Sequence, residues 1–200
     1  MRKKVFLKGP VMSQSGYGHH ARTVAKALKG REDIFDIYIE NINWGRTGWQ
    51  SEDSPFRRWV DDKIRKAATY SVERDGPLDI SLQVTIPNEW QKIAQVNIGV
   101  TAGIETTRVS GEWISKGSVM DKIIVVSNHA KQTYENTTVK AQTPDGKVFD
   151  YNIKTPIEVV NYPTIDCDTM DIVGFEPETD FNFLCVSQWG PRKNFNNTIS

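Results

Sequence analysis

Several things are scarce in this 200-residue chain, and each scarcity removes a class of protein. It has two cysteines, Cys167 and Cys185. They form neither a C-x-x-C pair nor a metal-ligand spacing, which argues against a disulfide-stapled scaffold or a thiolate metal centre. They suit a reducing compartment, with one disulfide between them left open. The three histidines, His19, His20 and His129, are not spaced as a zinc set, and none stands in H-E-x-x-H. No metal is expected, and no Ser-His-Asp or Cys-His order is evident. No apolar run approaches the roughly 18 residues of a membrane span. The N-terminal M-R-K-K-V-F-L-K-G-P has a basic start, but its apolar segment is too short for a signal peptide. Charge of one sign is missing too: 25 Lys and Arg balance 25 Asp and Glu. Nothing global points to nucleic acid or to an anionic membrane. A cytoplasmic protein is expected, with at most peripheral contact with a membrane.

What is present is an ordered alternation. Val5-Phe6-Leu7 reads as a buried strand, followed by a loop holding Gly16 and Gly18 and then a helix. Ala21, Val24, Ala25 and Leu28 recur at the spacing of one helical face. Residues 34–39, 78–84, 95–100 and 121–127 read as further strands. Helices are expected from Pro55, with Phe56, Trp59, Val60 and Ile64 on one face, from Gly111 to Met120 capped by Ser110, and after Ser127 or Asn128. Strands and helices in turn imply a parallel sheet covered on both faces, a Rossmann-like doubly wound α/β domain. Around Val139 to Ile153 the period changes to two, about a Pro144-Asp145-Gly146 turn, so a β-hairpin is inserted before the sheet resumes at 157–160. The acidic stretch 166–180 reads as a linker. Phe181 to Val186 reads as the first strand of a second domain, followed by a helix start. The expected division is residues 1–178 and 179–200, with the second domain cut off at Ser200.

In an open parallel sheet, ligands bind beyond the carboxyl ends of the strands. Those ends bring together Gly16, Tyr17, Gly18 and His19, then Pro87-Asn88-Glu89, then the segment 103–108 with Glu105 and Thr106, then Ser127. Free N–H groups and the helix dipole favour an anion at a helix start, and His19 could bond a phosphate there. The glycine spacing is not the full G-x-G-x-x-G, because Ala21 stands where the third glycine would be. It is not a phosphate-binding G-K-S/T loop either. His20 and His129 read as polar first-turn or loop residues. Glu105, three residues before Arg108, reads as a substrate contact or a loop salt bridge. Trp44 and Trp49, beside Gly45 and Gly48, allow stacking on a sugar ring or a base as well as plain cover of a core edge. Arg192 and Lys193 can clamp a diphosphate or form a solvated surface pair.

Four stretches carry a family resemblance: S-G-Y-G-H-H-A-R at 15–22, I-G-V-T-A-G-I-E-T-T-R-V-S-G-E-W-I at 98–114, M-D-K-I-I-V-V-S-N-H-A-K at 120–131 and F-L-C-V-S-Q-W-G-P-R-K-N at 183–194. The chain resembles the family 4 glycosyltransferases, retaining and metal-independent enzymes built from two facing Rossmann-like domains (the GT-B fold). The resemblance implies a nucleotide-diphosphate sugar as donor substrate, no cofactor, and a carbohydrate or lipid-linked acceptor. It places Gly16, Tyr17 and Gly18 against the donor diphosphate and the acceptor. It places Lys193, with Arg192 beside it, on the donor phosphates. Domain closure would exclude water from the transfer. Ser187-Gln188 stands where many members have an arginine, and the E-x7-E element of the donor domain is missing, so the 200 residues alone are expected to be inactive. No catalytic residue carries over; Glu105 is an acceptor-side candidate by position only. A non-catalytic α/β module binding a glycan, nucleotide or protein is the alternative. A nicotinamide-dependent oxidoreductase is disfavoured by the incomplete glycine fingerprint.

Overall fold

Apolar residues alternate with polar ones along short segments of the chain, and the computed structural model turns those segments into one parallel sheet. It describes residues 2–73, 76–164, 174, 176–187 and 191–198. In chain order the elements are β1 (Lys3–Gly9), α1 (Gly16–Lys29), β2 (Phe35–Asn41), α2 (Pro55–Glu73), β3 (Ile80–Val84), β4 (Val96–Thr101) and α3 (Gly111–Gly117). There follow β5 (Lys122–Val125), α4 (Asn128–Glu135), β6 (Thr138–Gln142), β7 (Val148–Asn152) and β8 (Ile157–Val159). Six strands pair in the order β2-β1-β3-β4-β5-β8, all parallel. The hairpin β6-β7 is separate and antiparallel, with Val139 opposite Tyr151 and Ala141 opposite Phe149.

Both faces of the sheet are covered, as parallel strands require. Val5, Leu7, Ile37, Ile39, Val84 and Val100 pack with Ala21, Ala25 and Leu28 of α1 and Val60 of α2. The opposite face puts Phe6 and Tyr38 against Ala67 of α2. It also puts Ile123, Val125 and Ile157 against Ile114 of α3 and Ala130 and Tyr134 of α4. Burying a side chain such as Leu7 or Ile39 completely stabilises the fold by about 1.5–3 kcal/mol, and both are fully enclosed. The same inner face carries a polar patch on β3 and β4. Asn97 Oδ1 accepts from Ser81 Oγ (3.0 Å) and from the N–H groups of Ile93 (2.9 Å) and Ala94 (3.0 Å). Gln83 exchanges bonds with the Gln91 backbone, and Trp90 Nε1 donates to Gln83 O. These bonds clamp residues 86–95 to the sheet. Gly99 lets the Trp90 indole lie against β4, since a Cβ there would fall 2.5 Å from the ring.

Three expectations need correction. Gly16 and Gly18 are not in a loop: they form the first turn of α1, because Ser15 Oγ accepts from the Gly18 N–H and starts the helix at Gly16. The turn itself is 10–15. The helix expected to reach Met120 ends at Gly117, which sits against Ile123 and Ile153 where a side chain would clash. Phe181 to Val186 forms no strand, since no described segment pairs with it to satisfy a ladder. Its apolar side chains are exposed, Phe183 by 92%. The chain divides into two compact units, residues 1–163 and 164–200. In the second, a 3-10 turn at Pro191–Lys193 leads into α5 (Phe195–Thr198). Most of the expected linker, with Cys167, lies outside the described residues.

Candidate functional site

All six parallel strands end at one rim, and the connection from β1 to α1 is its best-braced part. Arg22 reaches back from α1 and donates to Val11 O (2.9 Å) and Ser13 O (2.7 Å). Ser13 Oγ bonds Ser15 Oγ (2.8 Å) and Thr47 Oγ1 (2.7 Å). Gly18 is buried in this turn because its backbone touches Ser13. Gly16 is the opposite case: it is exposed, and no atom lies within 4 Å of where its Cβ would be. Ser15 satisfies the Gly18 N–H and the Ser15 carbonyl accepts from His19 N (2.9 Å). Among the described residues the N–H groups of Gly16 and Tyr17 have no partner. No acidic residue lies in this first turn, while Lys26 and Lys29 occupy the last. The positive end of the helix dipole therefore faces the rim unneutralised. The His19 side chain is exposed there.

Tyr17 ties this turn to the next strand. Its hydroxyl lies 2.8 Å from Thr101 Oγ1 at the end of β4, and the Ala102 N–H approaches it at 3.4 Å. Burial pushes the phenol's pKa up against the opposing pull of those bonds, so it stays protonated. On its other side the Trp44 ring leans on Tyr17, centroids 4.8 Å apart. The loop holding Trp44 is zipped to the β1–α1 turn: Gln14 N donates to Gly48 O, Gln50 N to Met12 O, both at 2.8 Å. Gly45 takes a positive φ of 56° where the loop reverses. A cavity of about 480 Å³ opens between this loop and the 3-10 turn at Pro87–Glu89, walled by Ile42, Asn43, Trp44, Arg46, Ile86 and Glu89.

Further along the rim, Gly103 adopts a positive φ of 84° against Ala130, where a Cβ would meet the alanine methyl at 2.6 Å. The following loop, with exposed Glu105 and Thr106, is held to α4: His129 Nε2 lies 3.1 Å from Thr106 O. Thr106 Oγ1 donates to Arg108 O (2.9 Å). Ser127 is the N-cap of α4, its Oγ accepting from the Ala130 N–H at 3.1 Å. Gly16, Tyr17, Gly18 and His19 thus share one helix turn, and the Tyr17–Thr101 bond links it to the loop of Glu105 and Thr106. Lys193 is exposed in the second unit, and the Arg192 side chain lies outside the described residues. Among the described residues no group of three His, Cys, Asp or Glu side chains could hold a metal ion.

One residue of this region was read differently from sequence. His20 is buried rather than a polar first-turn residue, 6% exposed, with its ring edge-on to Tyr162 (4.9 Å) and Nδ1 3.4 Å from the Tyr162 hydroxyl. Burial, with a smaller contribution from His19, holds its pKa down to about 4, so it is neutral at pH 7. The available signal was its place four residues before Val24 and eight before Leu28, on the apolar face. The Tyr134 hydroxyl is buried without a partner among the described residues, and burial raises its pKa further than the neighbouring Tyr17 does. No helix among the described residues is long and apolar enough to cross a membrane. Compared with known proteins, the chain matches no family model, no curated protein and no solved structure.

Proposed function

We propose that the chain is the acceptor-side part of a glycosyltransferase that moves a sugar from a nucleotide-diphosphate donor to an acceptor hydroxyl. One observation supports this reading most: the unclaimed N–H groups of Gly16 and Tyr17, at an uncovered glycine on the sheet's carboxyl rim. A diphosphate leaving group gathers negative charge as the bond to the sugar breaks. A helix N-terminus aimed at it stabilises that charge without reorganisation. In the transfer, the anomeric carbon–oxygen bond to the diphosphate breaks and a bond to the acceptor oxygen forms. By the family resemblance, the acceptor's proton passes to the departing phosphate oxygen, with retention of configuration. No side chain is assigned as base, and Glu105 and Thr106 line the acceptor side by position.

Calorimetric titration of UDP and GDP into the chain, as wild type and as Gly16→Asp, tests the reading. A carboxylate at the first helical position suits the helix dipole and repels a phosphate. The expected result is nucleoside diphosphate binding that falls at least about tenfold in the variant while its melting temperature holds. Absence of even weak binding to both nucleotides at about 1 mM, or binding indifferent to Gly16→Asp, overturns it.

A further inference from the structure

The cavity between the Trp44 loop and the Pro87–Glu89 turn has the composition of a ligand site rather than of an accidental gap. Its polar walls are Asn43, Arg46 and Glu89. Among the described residues none of these three side chains makes a hydrogen bond or ion pair, either with one another or with anything else. Arg46 and Glu89 line the same space yet stay beyond ion-pairing distance, so a guanidinium and a carboxylate face it with their bonds unspent. Thr47 differs, since its hydroxyl is taken by Ser13. The remaining wall is apolar: Ile42, Ile86 and the half-buried Trp44 indole, which Tyr17 and the zipped loop hold in place.

We infer that this cavity is a subsite for a neutral pyranose ring, stacked on Trp44 and bonded through its hydroxyls to Arg46, Glu89 and Asn43. It rests on the transferase reading only in making that ring the acceptor. A sugar presents C–H groups on one face and, at its edge, hydroxyls that both donate and accept. A single aromatic platform flanked by a pure donor, a pure acceptor and an amide matches that pattern. The one positive and one negative wall residue cancel, so an anionic ring finds no net attraction. A nucleobase is the weaker fit. Its ring edge carries no hydroxyl, the group that both donates and accepts at one atom. The volume, about 480 Å³, lies in the usual range of small-ligand sites.

Titration of methyl glucoside, methyl galactoside, lactose, cellobiose, glucuronate and uridine against the chain, followed by protein-observed NMR and tryptophan fluorescence, tests the inference. The expected result is binding of at least one neutral sugar, with the Trp44 indole signal shifting. Affinity should fall about tenfold in Trp44→Ala and about threefold or more in Arg46→Ala and Glu89→Ala. Those two exposed substitutions keep the test valid should Trp44→Ala not fold. Preference for glucuronate or uridine, no sugar bound, or a bound sugar indifferent to Arg46 and Glu89 overturns the subsite. Nucleotide binding with its Gly16→Asp response is read separately. Sugar binding without nucleotide binding leaves the subsite and removes the transferase; the reverse removes the subsite alone.

Discussion

A methyl group on Gly18 would lie 2.0 Å from the carbonyl oxygen of Ser13. That oxygen already accepts from Arg22 Nη1 at 2.7 Å, so the turn cannot move aside without losing a half-buried guanidinium's partner. Gly18→Ala is therefore expected to destabilise the chain by about 1–3 kcal/mol through overpacking. Gly16→Ala, two residues earlier and facing open space, is expected to be neutral or stabilising by up to about 1 kcal/mol. Urea midpoints of the two variants check the contrast. Equal effects would show that the glycines serve flexibility rather than close approach.

His20 makes stability depend on pH. Its pKa falls from 6.5 in the free side chain to about 4 in the fold, so between those values the unfolded chain binds the extra proton. Stability then rises with pH across that window. The contribution is fully present above about pH 6.5 and is lost as pH falls toward 4, by an amount on the order of 3 kcal/mol. Asp36 and Asp79, whose pKa values are lowered from 3.8, act below the window. Unfolding free energies measured between pH 4.5 and 7.5 should show a slope that shrinks by close to one proton in His20→Gln. An unchanged slope would mean that His20 is solvated.

The elements carrying a strong period were legible in the sequence. Ala21, Ala25 and Leu28 are on the core face of α1, and the hairpin register follows the alternation of Val139, Ala141, Phe149 and Tyr151. The start of α1 was not legible, because glycine content argues against helix and only the Ser15 side chain, bonded to Gly18, decides otherwise. Nor was the cavity at Trp44. Glu89 is far in sequence from Asn43 and Arg46, and they meet because Ser13 pairs with Trp49 while Gln83 and Asn97 fix the 86–95 segment. Long-range hydrogen bonds leave no local pattern. Phe181 to Val186 shows the converse: an apolar run with no pairing neighbour among the described residues remains a coil.

Asn97 is expected to be the most costly polar residue to truncate. In Asn97→Ala the N–H groups of Ile93 and Ala94 and the Ser81 hydroxyl lose their shared acceptor. The expected loss is about 2–4 kcal/mol. Asn97→Asp keeps the acceptor but sets a carboxylate near Asp121 Oδ2, 3.5 Å from the present amide nitrogen. That variant should therefore be unstable at neutral pH and recover as pH falls through the carboxylate range, near 4. Thermal melts at pH 7 and pH 4 distinguish the two. Because protonation of His20 also weakens the wild type at pH 4, the variant is read against wild type, and an equal melting-temperature deficit of Asn97→Asp at both pH values would sink the account.

Ser127 stands at the rim among the candidate substrate contacts, yet its hydroxyl accepts from the Ala130 N–H and opens α4. Ser127→Ala should then cost about 1 kcal/mol and loosen the first turn, seen as faster amide exchange at Ala130. Because His129 in that turn holds the Thr106 carbonyl, the loop of Glu105 should loosen with it. Ser127→Asp restores the acceptor and adds a charge suited to the helix start, so it should melt at or above the wild-type temperature. A substrate contact behaves otherwise, because Ser127→Asp would then impair ligand binding as much as Ser127→Ala or more. Stability and ligand affinity measured on the same two variants therefore separate a cap from a contact, since only the cap is rescued by aspartate.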